Sequence, residues 1–321
     1  MGIIIDGFSH ILPKLFAEAL MKKYPSNELK MISELPYFGD IENRIRVLDK
    51  YNIEKQVLTL ARPNIWIGMP KDIALKMVKI ANDTVLKDAK SFPDRLIPVG
   101  TLPMLDEEFE SEFDRCIKEL EMMGIQVFSN IEGKYLDDFN FRWFFSKANE
   151  MKIPIWIHPQ ARKEWSEEFA LDKILGWPFE TSLVMSRLVF SGIMEKYSNL
   201  RIITHHMGGM ISFFSERIRG SYEGRDLFTD AKFLSLSKDP LEYFKKFYVD
   251  TVLNGAQHAF ECGYKFFGAD HIIFATDYPF GPKKGERWIE SALNQIFKTE
   301  LQKEEKEKIL SKNVQKLIAR L

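Results

Sequence analysis

Ile153-Pro154-Ile155-Trp156-Ile157-His158-Pro159 is a short apolar run that ends in a histidine. Apolar residues at nearly every position fit a strand covered on both faces, as in a parallel sheet, better than one with a wet side. Before it, Phe139 to Met151 reads as a helix that leads through Lys152 into the run. Further upstream lies a second apolar run, Ile125-Gln126-Val127-Phe128. It follows a helix over Asp106 to Met123, in which Phe109, Phe113, Cys116, Ile117 and Leu120 recur at three- and four-residue steps and Gly124 stands as the C-terminal cap. The unit is helix, strand, helix, strand, and it recurs along the chain.

Runs of this kind lie at Ile3-Asp6, Gln56-Ala61, Leu96-Leu102, Ile125-Phe128, Ile153-His158, Leu200-His205, Phe247-Thr251 and His271-Thr276. Amphipathic stretches separate most of them, Lys71 to Ala89 and Asp106 to Met123 being the clearest. Eight such strands in a chain of 321 residues predict an α/β fold of the (β/α)8 TIM-barrel type, formed by residues 1–321 as a single domain. A doubly wound sheet is the alternative. The barrel is preferred because His10, His158, His206 and Asp277 all fall at or just past C-terminal strand ends, where barrel enzymes carry their chemistry. Ile11 to Asp40 and Glu223 to Tyr243 break the alternation and are candidate substrate-covering loops.

Composition narrows the function. Hydrophobic residues make up 45% of the chain, ample for a large core, and 45 basic against 46 acidic side chains give a net charge of -1. No long basic run supplies a footprint for nucleic acid or an anionic membrane, so a small-molecule substrate is expected. Two cysteines, Cys116 and Cys262, fit neither a disulfide framework nor a zinc ribbon. The first residues read as a strand rather than a signal peptide, and no run of about 18 apolar residues occurs, so a cytoplasmic protein is expected.

The strand ends hold the groups that bind metals and move protons. Imidazoles with a carboxylate make a good divalent-metal site, and three protein ligands suffice for a catalytic ion with one position left for water. His10, His158 and Asp277 meet that minimum. His205 and His206 are adjacent, so in extended backbone they point to opposite faces. Gly208-Gly209 permits a tight turn and close ligand approach, which favours His206 as the inward acid or base and leaves His205 packed between sheet and helix. Trp156, two positions before His158, shares the inward face and is a candidate wall for a flat substrate. Trp66, Trp165, Trp177 and Tyr278 are further aromatic candidates near the mouth.

Ile5-Asp6-Gly7-Phe8-Ser9-His10, Ile203-Thr204-His205-His206-Met207-Gly208-Gly209 and Thr276-Asp277-Tyr278-Pro279-Phe280, with Gly124-Ile125-Gln126-Val127 and the stretch from Asn130 to Asp138, resemble the amidohydrolase superfamily. The resemblance is to its branch of aminocarboxymuconate-semialdehyde and gamma-resorcylate decarboxylases. It implies His10, His158 and Asp277 as ligands of one divalent metal ion, zinc or alternatively manganese. It further implies His206 and Asp277 as catalytic residues and a homodimer. Arg217, eleven residues after His206, matches an arginine associated with the substrate carboxylate; a surface ion pair is its other reading. A second such arginine has no match between Met31 and Asp40, and Arg44 sits on the following helix.

The chain departs from the branch at one ligand. Its first motif normally carries histidine, or glutamate, where this chain has Phe8, and phenylalanine cannot bind a metal. Phe128-Ser129-Asn130 also lacks the lysine that bridges two metals in binuclear relatives, so at most one ion is expected. Three functions fit: a carboxy-lyase acting on a small aromatic or unsaturated carboxylic acid; a metal-dependent hydrolase of an ester, lactone, amide or activated carbon–carbon bond; or a degenerate member that binds a small molecule without turnover.

Overall fold

The computed structural model describes residues 2–23, 30, 35–60, 66, 68–162, 165–228 and 233–319. Among them eight parallel strands follow one another around a (β/α)8 barrel. β1 is Ile5–Ile11, β2 Lys55–Leu60, β3 the two pieces Leu96–Pro98 and Gly100–Thr101, and β4 Ile125–Phe128. β5 is Pro154–His158, β6 Arg201–Thr204, β7 Tyr248–Asp250 and β8 Ile272–Ile273. Every consecutive pair from β1 to β8 is parallel.

β3 changes partner at Val99. Its first piece pairs with β2, Val57 opposite Ile97, and its second with β4, Gly100 opposite Ile125. Between β8 and β1 the ring closes through the segment just after β8: Gly7 N donates to Phe274 O at 2.8 Å, Asp277 N to Phe8 O at 3.3 Å and His10 N to Tyr278 O at 2.7 Å. Asp6 adds side-chain ties to the same segment, accepting from Thr276 N at 3.1 Å and from Thr276 Oγ1. A closed ring leaves no sheet edge.

Two apolar layers hold this arrangement. The larger lies between strands and helices; the smaller fills the barrel and includes Ile5, Phe8, Val57, Val99, Trp156, Ile203 and Ile273. The final helix, Asn313–Ile318, reaches this inner layer through Val314 and Leu317. Gly7 makes that approach feasible, since a Cβ there would sit 2.7 Å from Val314 Cγ2.

The helix after β3 differs from the sequence reading. Asp106 to Met123 is not one regular helix but a 3-10 turn at Glu107–Phe109, a short α-helix at Glu110–Asp114 and a wider π turn at Arg115–Glu119. Glu121, at φ 53°, makes the left-handed turn assigned to Gly124. Gly124 serves packing instead: a Cβ would lie 2.4 Å from Trp156 Cζ3 and 2.6 Å from Pro154 O.

The two long segments are partly described. Ile11 to Asp40 holds a helix at Lys14–Lys23 and a turn at Pro36–Phe38, with residues 24–29 and 31–34 outside the described set. Glu223 to Tyr243 holds a turn at Arg225–Leu227, with residues 229–232 outside it, as is Ala61 at the expected end of β2. Among the described residues no helix is long and apolar enough to cross a membrane.

Candidate metal centre

Three buried imidazoles meet at the C-terminal ends of the strands. The rings of His10 and His158 are 5.1 Å apart, those of His158 and His205 5.2 Å, and those of His10 and His205 5.6 Å. One ligand nitrogen from each lies within 4.8 Å of the others. Such a set could hold a metal ion.

Each ring is oriented from behind through Nδ1. Thr59 gives its proton to Ser9 O at 2.8 Å, so its oxygen accepts from His10 Nδ1 at 2.9 Å. His158 Nδ1 lies 2.7 Å from Pro159 O, and a carbonyl can only accept. His205 Nδ1 bonds to Asp250 Oδ2. With Nδ1 protonated in all three, each Nε2 carries a lone pair. His10 Nε2 stands 3.1 Å from Asp277 Oδ1 without a hydrogen bond between them, two electron-rich atoms face to face. A cation between these donors relieves that opposition, so the residues present fit a divalent ion.

His205 therefore belongs to the cluster, which corrects the expectation that it packs between sheet and helix. The alternation argument required extended backbone through both histidines. β6 ends at Thr204, and His206, Met207, Gly208 and Gly209 have φ of 57°, 53°, 73° and 62°, four successive left-handed residues. Gly209 could not carry a side chain, because a Cβ would meet Pro178 O at 2.3 Å. The turn leaves His205 facing inward at 1% exposure. His206 is half-buried beside it, ring centroids 5.3 Å apart, with Nδ1 unbonded.

Asp277 sits at the rim, its side chain 15% exposed against 0% for His10. Trp156 does not line the mouth. It is fully buried in the inner apolar layer, and its indole N–H donates to Gly7 O at 2.9 Å, which leaves no face for a substrate. Arg217 is exposed on an apolar surface groove with Phe190, Met210 and Phe214, and that groove shares no lining residue with the histidine cluster. Rings do surround the histidines: Phe128 and Trp177 stand 6.0 and 5.7 Å from His158, and Phe280 stands 5.5 Å from His10.

Sequence reasoning missed Asp250 and Thr59. Asp250 has a signal in retrospect, a carboxylate ending an apolar strand in the layer that holds the histidines. Val252 N donates to it at 3.0 Å and Met207 N also donates, which favours the carboxylate, while burial pushes its carboxyl up to about 7. Burial pushes His205 down to about 3 and His206 down to about 4. Below the cluster, fully buried Arg44 donates to His10 O and, at 2.7 Å, to Gln56 Oε1. Gln56 in turn donates to Asp6 Oδ2 at 2.7 Å. Arg44 thus anchors the end of β1 rather than facing the mouth.

Comparison with known proteins agrees with this fold. The amidohydrolase family model matches residues 42–319. The chain is 29% identical over 297 residues to the 2-amino-3-carboxymuconate-6-semialdehyde decarboxylase of Dictyostelium discoideum, covering 86% of this chain and 81% of that protein. It is 28% identical over 253 residues to the gamma-resorcylate decarboxylase of a Polaromonas species, covering 74% and 77%. Its backbone is similar to that of 5-carboxyvanillate decarboxylase from Novosphingobium aromaticivorans, solved with manganese and 4-hydroxy-3-methoxy-5-nitrobenzoic acid. That match has a TM-score of 0.86 at 24% identity and covers 98% and 96% of the two chains. The chain belongs to the amidohydrolase family.

Proposed function

We propose that the chain is a metal-dependent decarboxylase of a small aromatic or unsaturated carboxylic acid. The observation that carries this reading is the set of buried imidazoles presenting Nε2 lone pairs beside Asp277, in a chain whose curated relatives include decarboxylases. His10, His158 and Asp277 would hold the ion. When bound, a divalent ion polarises a substrate oxygen and stabilises the negative charge left as carbon dioxide departs. Imidazole ligands suit zinc, and the Novosphingobium enzyme was solved with manganese, so either ion fits.

The chain's own groups supply the rest. Phe128, Trp177 and Phe280 form an aromatic surround that excludes water and suits a flat acid. As the carbon–carboxylate bond breaks, its electron pair stays on the substrate carbon and His206 delivers a proton there. Burial lowers the basicity of His206, so it takes up a proton from solvent before giving it to that carbon. Asp277, at the rim beside His10, acts on His206 in the direction that favours the protonated imidazole.

The test is carbon dioxide release by zinc- or manganese-loaded protein from hydroxybenzoates and muconate-like acids. Absence of release across that panel counts against the reading, and solvent oxygen appearing in product would transfer it to hydrolysis. Arg217 lies on the surface groove and not beside the histidines of its own chain, so as a carboxylate-binding group it would act at the site of a second copy in the dimer: Arg217→Met should raise KM with kcat little changed. A homodimer in the cytoplasm completes it, supported by the apolar groove around Phe190 and Phe214, and light scattering tests the dimer.

A further inference from the structure

Phe8 occupies the position where the resemblance calls for a metal ligand, yet donor atoms around it are not short by one. We propose that His205 takes over the missing ligand's place, so that the ion is held by His10, His158 and His205 together with Asp277, and Asp250 fixes His205 from behind. This inference rests on the metal-dependent reading above and specifies which residues of this chain bind the ion.

Three observations on different atoms carry it. The first is position: the His205 ring lies flat on Phe8, centroids 3.6 Å apart and planes within 15°. The phenyl group thereby acts as a platform that sets the imidazole beside His10 and His158. The second is orientation. Asp250 binds Nδ1, the arrangement by which a carboxylate fixes the tautomer of a ligating histidine and raises its basicity. The third is the other nitrogen. His205 Nε2 is buried with no hydrogen-bond partner, as is His10 Nε2, and a buried polar atom left that way is costly unless something binds it. A purely structural His205 would satisfy Asp250 and still strand this nitrogen beside the equally unbonded Nε2 of His10.

The wild-type protein provides the decisive measurement, free of any folding defect. X-ray absorption at the zinc edge of zinc-loaded protein should count three imidazoles. Two imidazoles, or no zinc uptake, would overturn the proposal. Chelator competition supplies the second arm. His205→Ala should weaken zinc binding by more than the roughly 10- to 100-fold that losing a ligand's hydrogen-bonding partner costs, and Asp250→Asn should fall within that range. Adding Phe8→His to His205→Ala should restore affinity. Native affinity in His205→Ala would equally overturn the assignment. Two imidazoles with carbon dioxide release intact would leave the decarboxylase reading standing and remove His205 alone; three imidazoles without any release would do the reverse.

Discussion

The ring of Phe8 lies against the ring of His205 at 3.6 Å, and the rings of His10 and His158 stand 5.6 and 5.2 Å from the same imidazole. A residue that cannot bind metal thus fills the volume that keeps a neighbouring imidazole in line. Phe8 is fully buried, so truncation leaves a cavity that the closed ring of strands can collapse into only partly. Phe8→Ala should cost about 3 to 5 kcal/mol in urea unfolding of the metal-free protein, where ligand effects do not enter. A loss under about 1 kcal/mol would show that the platform bears no weight.

His206 and His205 are adjacent but separable by experiment. His206, half-buried in a left-handed turn, is the proton carrier in the proposed reaction, whereas His205 is inside. His206→Asn should lower kcat by roughly 100- to 10,000-fold, the range associated with a positioned acid or base, while metal content measured by elemental mass spectrometry stays at the wild-type level. Metal lost together with activity would make His206 a ligand and exchange the two roles.

The barrel was legible because parallel strands buried on both faces announce themselves as apolar runs, as Ile125–Phe128 and Pro154–His158 do. The site was less so. Period-two reasoning rightly put Trp156 inside with His158, but it carries no information on depth. Two residues back along a strand is about 6 to 7 Å below the mouth, and there the indole is sealed in the inner layer. For His205 and His206 the same reasoning failed where the extended backbone stopped, because nothing local marks His205 as the last extended residue when His206 and Met207, neither of them glycine, take positive φ. Asp250 and Thr59 act on His205 and His10 from the neighbouring strands, and such pairings appear only once the order and register of the strands are known.

Trp156 yields a prediction that separates packing from substrate contact. Its indole N–H donates to the buried carbonyl of Gly7, on the strand that closes the ring. Trp156→Phe keeps a large ring but deprives that carbonyl of a donor, which should cost about 1 to 3 kcal/mol. KM should stay within about twofold of wild type. A several-fold rise in KM with unfolding unchanged would place the indole on the substrate after all.

Asp6 ties β1 to the segment after β8 and pays for its burial in a pH-dependent way. Its carboxyl accepts from Gln56 Nε2, Thr276 N, Thr276 Oγ1 and Phe8 N, yet desolvation outweighs these donors and pushes it up from 3.8 to about 6. An acid with a higher pKa folded than unfolded binds more protons in the folded chain between those two values. Stability contributed by Asp6 therefore declines as pH rises from about 4 to about 6, and the cost is complete above that window. Asp6→Asn removes this titration along with some of the hydrogen bonding. The variant should be less stable than wild type at pH 4.5, and its deficit should shrink by about 2 kcal/mol by pH 7 as wild type alone takes on the buried charge. Urea midpoints of both proteins at the two pH values give the comparison. A deficit that stays constant would mean Asp6 is ionised across the whole range, with its four donors prevailing over burial.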